Sequence, residues 1–347
     1  MTPATLPELR DAVLSASRVI AVGAETKPRL SAVDTVKIST RNLSGITEYD
    51  PSEFTFTALA GTPVKEIIAA LAEKGQYLPF DPMLVEAGST IGGVVASGLS
   101  GPGRFRFGGV RDFILGVQFV DGLGRLLRLG GKVVKNAAGF DVPKFFVGSL
   151  GRFGVIGEVT FKVFPKPEST LTLELPFEAE TMARIANSRF EADALDVLPG
   201  GETMLARLSG PGKALEVLAK EIGGEIINNA IWNKIRETCW VYKTDITPDQ
   251  IGDYQAAHVS CGGNVAFSRA LPARGMTLRG DGPLWIGGRT RFAIEDAVKQ
   301  ALDPQHRFPT LDEWSASVSS DHSPLSTPVG NESPQTGEWS STHSRSV

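Results

Sequence analysis

At 347 residues, with 41% hydrophobic and 21% charged residues, the chain is long enough for two domains with a sizeable core and has the make-up of an ordinary globular protein. A formal net charge of −4 provides no basic field for nucleic acid or an anionic membrane surface, and no stretch is apolar enough to be a transmembrane segment. Glu8 and Asp11 stand where a secretory signal would be apolar, so the sequence reads as cytoplasmic, and two cysteines are too few for a disulfide framework or a four-thiolate cluster.

Residues 18–23 (RVIAVG) read as a β-branched strand running into Ala24-Glu25-Thr26-Lys27-Pro28. Further strands are predicted at 35–39, 46–49 and 54–59. Thr62 as N-cap and Pro63 in the first turn then open a helix in which Val64, Ile67, Ile68 and Leu71 recur at helical spacing until Gly75.

Between Glu86 and Asp112 the glycines Gly88, Gly92, Gly93, Gly98, Gly101, Gly103, Gly108 and Gly109 are interleaved with Ser89, Thr90, Ser97 and Ser100 and accompanied by Arg104, Arg106 and Arg111. So dense a glycine run serves positive φ or a close backbone approach: either a mobile loop, or a cradle whose N–H groups converge on an anionic cofactor. The common phosphate motifs do not account for it. After Gly101-Pro102-Gly103 an arginine, Arg106, stands where a dinucleotide fingerprint needs glycine, and Gly131-Lys132 is followed by Val133 where a P-loop needs a hydroxyl. Val147 likewise removes Ser149 from a nucleophile elbow.

Downstream, 114–120 and 125–129 predict a hairpin across Asp121-Gly122-Leu123-Gly124, and Asp141 caps a helix starting near Pro143. Val155, Val159, Phe161 and Val163 alternate with Glu158, Thr160 and Lys162, which predicts a strand with one buried and one wet face. Pro165 and Pro167 close a first domain, 1–167. From 168 to 314, strands at 170–176 and 204–208 and helices near 179–190 and 213–222 predict an α+β domain, a ferredoxin-like sheet with helices on one face. Trp232, Trp240 and Tyr242 read as core or interface anchors there, and Cys239 and Cys261 as small buried or partly buried residues. Residues 315–347 are dominated by Ser, Thr and Pro and predict a disordered tail.

Four runs, Gly88-Ser-Thr-Ile-Gly-Gly93, Arg106-Phe-Gly-Gly-Val-Arg-Asp112, 131–141 (GKVVKNAAGFD) and Gly148-Ser-Leu-Gly-Arg-Phe-Gly154, resemble the PCMH-type FAD-binding domain of the vanillyl-alcohol-oxidase superfamily. Within it they look most like the E-subunit family of bacterial glycolate oxidases, over most of 19–165. The resemblance implies an α+β domain of two subdomains with FAD between them. It places the diphosphate on Gly23, Ala24, Glu25, Thr26 and Lys27, where the family has G-G-G-T-K and Ala24 and Glu25 depart, and on Gly88, Ser89, Thr90, Gly92 and Gly93. The flavin is implied along Ser97, Gly98 and Gly103, near Lys135, Asn136 and Asp141, and the adenine side at Ile156. No metal or catalytic residue is assigned.

The implied role is the FAD-binding subunit of a glycolate oxidase complex that converts glycolate, a small 2-hydroxy acid, to glyoxylate. Its partners would be a flavin-containing D subunit and an iron–sulfur F subunit, through which it could sit at the periphery of the inner membrane. Two alternatives stay open. A stand-alone FAD-dependent 2-hydroxy acid or alcohol dehydrogenase would have to draw its base from His258 and His306 and its carboxylate clamp from Arg269, Arg289 and Arg291. A scaffold subunit that has lost FAD would explain Ala24 and Glu25.

Overall fold

The computed structural model describes residues 1–131, 141–287 and 292–314. Expectations for Lys135, Asn136, Arg289, Arg291 and the 315–347 tail fall outside these residues.

Strands β1 (Val19–Val22) and β2 (Val36–Ser39) pair in parallel. β3 (Ile46–Asp50), β4 (Thr55–Leu59), β6 (Ile114–Val120), β7 (Leu126–Gly130) and β8 (Val155–Lys162) form an antiparallel sheet in the order β3-β4-β8-β6-β7, and β5 (Gln76–Tyr77) pairs with β9 (Phe164–Pro165). The expected wet face of β8 is absent, because the strand lies between β4 and β6 and both its faces are covered. Glu158 is bonded to Arg128 and accepts from Thr47 Oγ1 at 3.0 Å, and Thr160 shares a hydrogen bond with Thr57 at 2.9 Å, so the polar face is buried with its partners supplied. The helix Leu6–Leu14 packs over Gly157, where a β-carbon would stand 2.5 Å from Leu6 Cδ2.

Two predicted caps work differently. The helix Val64–Ala72 starts after Pro63, while Thr62 donates its hydroxyl to the Leu59 carbonyl at 2.6 Å and so ties off β4 without capping the helix. Asp141 precedes the helix Val142–Phe145, but its carboxylate pairs with Lys144 at 2.8 Å.

The second lobe is built on one larger sheet. β10 (Ser169–Pro176), β11 (Ala194–Val197), β12 (Thr203–Gly210), β13 (Glu225–Ile227), β14 (Tyr242–Asp245), β15 (His258–Ser260), β16 (Val265–Ser268), β17 (Gly275–Thr277) and β18 (Trp285–Ile286) run antiparallel in the order β13-β10-β12-β11-β15-β16-β14-β17-β18. With helices Ala179–Ala186 and Gly212–Ile222, strands β10 to β13 make the ferredoxin-like unit: the first strand lies between the fourth and the third. Strands β14 to β17 repeat that order as a mirror series. A 3₁₀ segment, Pro248–Tyr254, stands where the first helix would be, and the two units join along β11 and β15.

One face of this sheet carries Leu173, Leu195, Met204 and Ala206 beneath Met182, Ile185 and Leu215 of the two helices. The helix Ile231–Glu237 lies on the other face, where Trp232 and Ile235 pack on Ala194 and Leu205, so helices cover both faces and not one. The Trp232 indole donates to Thr172 Oγ1 at 2.7 Å.

That second face meets the first lobe. Val22, Leu30, Leu84 and Leu150 share an apolar cluster with Trp240, Val265, Phe267 and Leu278. Arg207 donates to Asp81 at 2.7 Å, and Arg106 pairs with Asp193 at 3.1 Å. The Asp81, Asp193 and Asp196 carboxylates outweigh the effect of burial and raise the Arg207 pKa. The chain then returns to the first lobe: the buried Asp303 accepts from the Arg307 and Phe308 N–H groups at 2.8 and 2.9 Å, and Phe308 enters the core beside Leu9 and Val19.

Candidate functional site

The parallel pair β1–β2 cannot close with a tight turn, and its connection opens onto a cleft that is accessible from solvent. β1 and the turn after it supply Val22 to Lys27; the segment from Thr90 to Ser97 forms a second side; Leu150, Gly151 and Gly154, which precede β8, form a third with Ile156 of that strand.

The turn 23–27 is tightly specified. A β-carbon on Gly23 would lie 2.5 Å from Thr90 Oγ1, so only glycine lets the two loops touch. Arg41 donates to the Gly23 and Ala24 carbonyls at 3.2 and 3.1 Å. Glu25 has a φ of 50°, a left-handed conformation that costs a residue with a side chain about 1–2 kcal/mol. Its carboxylate is held by Lys37 at 2.6 Å on the exposed side, which answers the repulsion expected between an acid here and a bound anion. Thr26 Oγ1 lies 3.2 Å from Ser89 Oγ and accepts from Lys27 Nζ at 3.0 Å. Lys27 is only 9% exposed; burial, and secondarily the neighbouring Arg279 charge, bring its ammonium down to about 8.

Of the residues expected to hold FAD, Gly23, Ala24, Glu25, Thr26, Lys27, Thr90, Gly92, Gly93, Ser97 and Ile156 line this cleft. Ser89 stands one layer behind, bonded to Thr26. Gly88, Gly98 and Gly103 do not line it. Gly88 turns the chain at a φ of 87°, and Gly98 ends the helix Ile91–Ser97 at 65° against the Gly148 backbone. Gly103 donates its N–H to Asp81 at 2.7 Å, and a β-carbon there would be 1.9 Å from the Pro79 carbonyl. Gly92 also has a packing duty, since its β-carbon would meet Ala60 at 2.7 Å.

Sequence reasoning missed Leu150, Gly151, Gly154, Ser31 and Thr40 as lining residues. Three of them belong to the run 148–154 that carried the resemblance, so the signal was present. Leu150 adopts a φ of 55° at the cleft wall.

The histidines and cysteines sit elsewhere. His258 is buried at the centre of the second sheet, its Nε2 2.9 Å from Asp196 Oδ2, and Ser260 Oγ donates to the same carboxylate at 2.9 Å. His306 and Arg269 are exposed. Cys239 is exposed, contrary to expectation, because the turn after the helix Ile231–Glu237 carries it out of the core. Cys261 is buried, and burial followed by the Asp196 charge pushes its thiol up to about 12.

Buried groups from Lys27, Thr40 and Thr90 and half-buried hydroxyls from Thr26 and Ser31, set beside the apolar walls of Ala21, Val22, Leu30 and Leu150, suit a ligand with an anionic centre and flat apolar ends. The donor set therefore fits FAD. In comparisons with known proteins, residues 1–130 match the family described as FAD binding domain. The chain is 36% identical to the glycolate oxidase subunit GlcE of Escherichia coli (strain K12) over 237 residues, which cover 67% of this chain and 68% of that protein. It is 31% identical to the glycolate oxidase subunit GlcD of Bacillus subtilis (strain 168) over 193 residues, or 53% of this chain and 41% of that one. Among solved structures, an alkyldihydroxyacetonephosphate synthase shares the fold with a TM-score of 0.64 at 18% identity, over 88% of this chain and 74% of that one.

Proposed function

Because the chain belongs to the family of the glycolate oxidase subunit GlcE, we propose that it is the FAD-binding subunit of a complex that oxidises glycolate to glyoxylate. The observation that carries the cofactor assignment is the buried Lys27 ammonium, which faces the cleft with a hydroxyl as its hydrogen-bond acceptor and, among the described residues, no carboxylate in an ion pair with it. FAD, when bound, supplies the two-electron chemistry; the chain supplies binding, orientation and shielding from water. In this reading the turn 23–27 and Lys27 take the diphosphate, Leu150 and Ile156 give apolar walls, and residues 1–167 act as the cofactor domain beneath a 168–314 cap.

The partners in this proposal are a D subunit, for which the similarity to GlcD is the support, and an iron–sulfur F subunit. Attachment to the inner membrane would run through the complex: no helix among the described residues is long and apolar enough to cross a membrane. Of the groups that could serve a stand-alone dehydrogenase, His258 is committed to Asp196 inside the second sheet, so the subunit reading is favoured.

The visible absorption spectrum of the purified protein after incubation with FAD and gel filtration tests the cofactor. Retained flavin near one per chain is expected. Folded protein that retains none would contradict the proposal in favour of a scaffold without cofactor.

A further inference from the structure

The loop that leaves β17 reaches across the seam to the turn 23–27. Leu278 and Arg279 are fixed to their own lobe by N–H donation to the Val241 carbonyl, Leu278 at 2.7 Å. On the other side the Arg29 N–H donates to the Leu278 carbonyl at 3.2 Å, and Arg29 Nε to the Gly282 carbonyl at 2.5 Å. The docking brings Arg279 Nη2 onto the Thr26 carbonyl, the same residue whose hydroxyl receives Lys27. Two cations from two lobes thus converge on Thr26. Arg279 Nε is buried with no partner among the described residues. Among the described residues neither cation is in an ion pair: the carboxylate on this turn, Glu25, is bound to Lys37, and Asp281 acts on Arg29. A buried ammonium beside a half-buried guanidinium, satisfied only by a hydroxyl and a carbonyl, is unfavourable until an anion joins them.

We propose that Arg279 and Lys27 together form a seat for a dianionic group, the diphosphate of FAD, so that the cofactor bridges the two lobes. The inference rests on the FAD reading above and adds a second-lobe residue to it. A guanidinium with an unused Nε–H has a donor left for a phosphate oxygen. The lobe contact at 278–282 against 26–32 is then formed without the cofactor and tightened by it.

The test is equilibrium titration of the wild-type chain, Arg279→Gln and Arg279→Lys with FAD, ADP, riboflavin and inorganic pyrophosphate, with circular dichroism confirming the fold of each variant. Loss of one charged hydrogen bond predicts that Arg279→Gln binds FAD and ADP about ten- to a hundredfold more weakly, that riboflavin binding is unchanged, and that Arg279→Lys recovers part of the loss. Pyrophosphate should raise the melting temperature of the wild type more than that of Arg279→Gln. Wild-type affinity of folded Arg279→Gln for FAD and ADP would overturn the seat while leaving the FAD reading intact, and an equal loss for riboflavin would overturn it by assigning Arg279 a purely structural role. ADP bound through Arg279 by a wild type that does not take FAD would support the seat and overturn the FAD reading. Should Arg279→Gln fail to fold, weaker ADP binding by Arg279→Lys with unchanged riboflavin binding supports the seat, and unchanged ADP binding overturns it.

Discussion

Lys27 is where the cleft chemistry can be read in a single side chain. Its ammonium, brought down to about 8 by burial and by Arg279, would titrate near 10.5 in the unfolded chain. Between those values the unfolded state holds more protons than the folded one, so the ligand-free protein gains stability from this group as pH rises through the window. A bound diphosphate favours the charged lysine and reverses the preference, so binding takes up a proton. The charged groups around it are Arg279 across the seam and, on its own turn, the outward Glu25–Lys37 pair with Arg41 on the loop carbonyls. FAD affinity should therefore fall as pH climbs past about 8, with a limiting slope of about tenfold per pH unit. Dissociation constants measured across that range should show the slope for wild type and a flatter one for Lys27→Met; identical slopes would contradict this placement of Lys27. Lysine at this position was legible from the sequence. Its neighbour Arg279 was not, because it lies 252 residues further along a chain whose local pattern gives no hint of the docking.

At the scale of elements, the glycine stretch was legible as a place of close approach, but the sequence could not say what approaches. Gly23 and Gly93 border the cleft, whereas Gly101 and Gly103 let the backbone close onto residues 79–81, whose Asp81 grips Arg207 of the second lobe. Gly103 has a φ of −62°, so its requirement is steric and not conformational. Gly103→Ala would force the strand of contacts at Pro79 and Asp81 apart and should destabilise the protein by about 1–3 kcal/mol in urea unfolding; an unchanged midpoint would show that this junction is not tightly packed. The first ferredoxin-like unit could be read because its strands and helices have clean periods of two and 3.6. The second could not, since Pro248–Tyr254 is 3₁₀ and β15 to β18 are only two to four residues long. The wet face assigned to β8 failed for a related reason: alternation shows polarity, and Glu158 satisfies its charge with Arg128 from a neighbouring element.

For the whole molecule, the two lobes divide the work. The first supplies the residues that line the cleft, and the second presses a mixed face onto the first lobe, apolar at Val265, Phe267 and Leu278 and polar at Arg207, Asp196 and His258. In that face the carboxylate–histidine pair is shut away: Asp196 is 0% and His258 1% exposed, so neither can reach a substrate hydroxyl without the seam opening. The lining of the cleft includes one carboxylate, Glu25, already paired outward. In the proposed reading, a chain built this way binds FAD and leaves the substrate step to a partner. Anaerobic mixing of the FAD-loaded chain with glycolate tests that most directly, with the D subunit added in a second mixing step. The flavin spectrum should stay oxidised in the first step and bleach only after the partner is present; bleaching at a catalytically useful rate by the isolated chain would contradict the account.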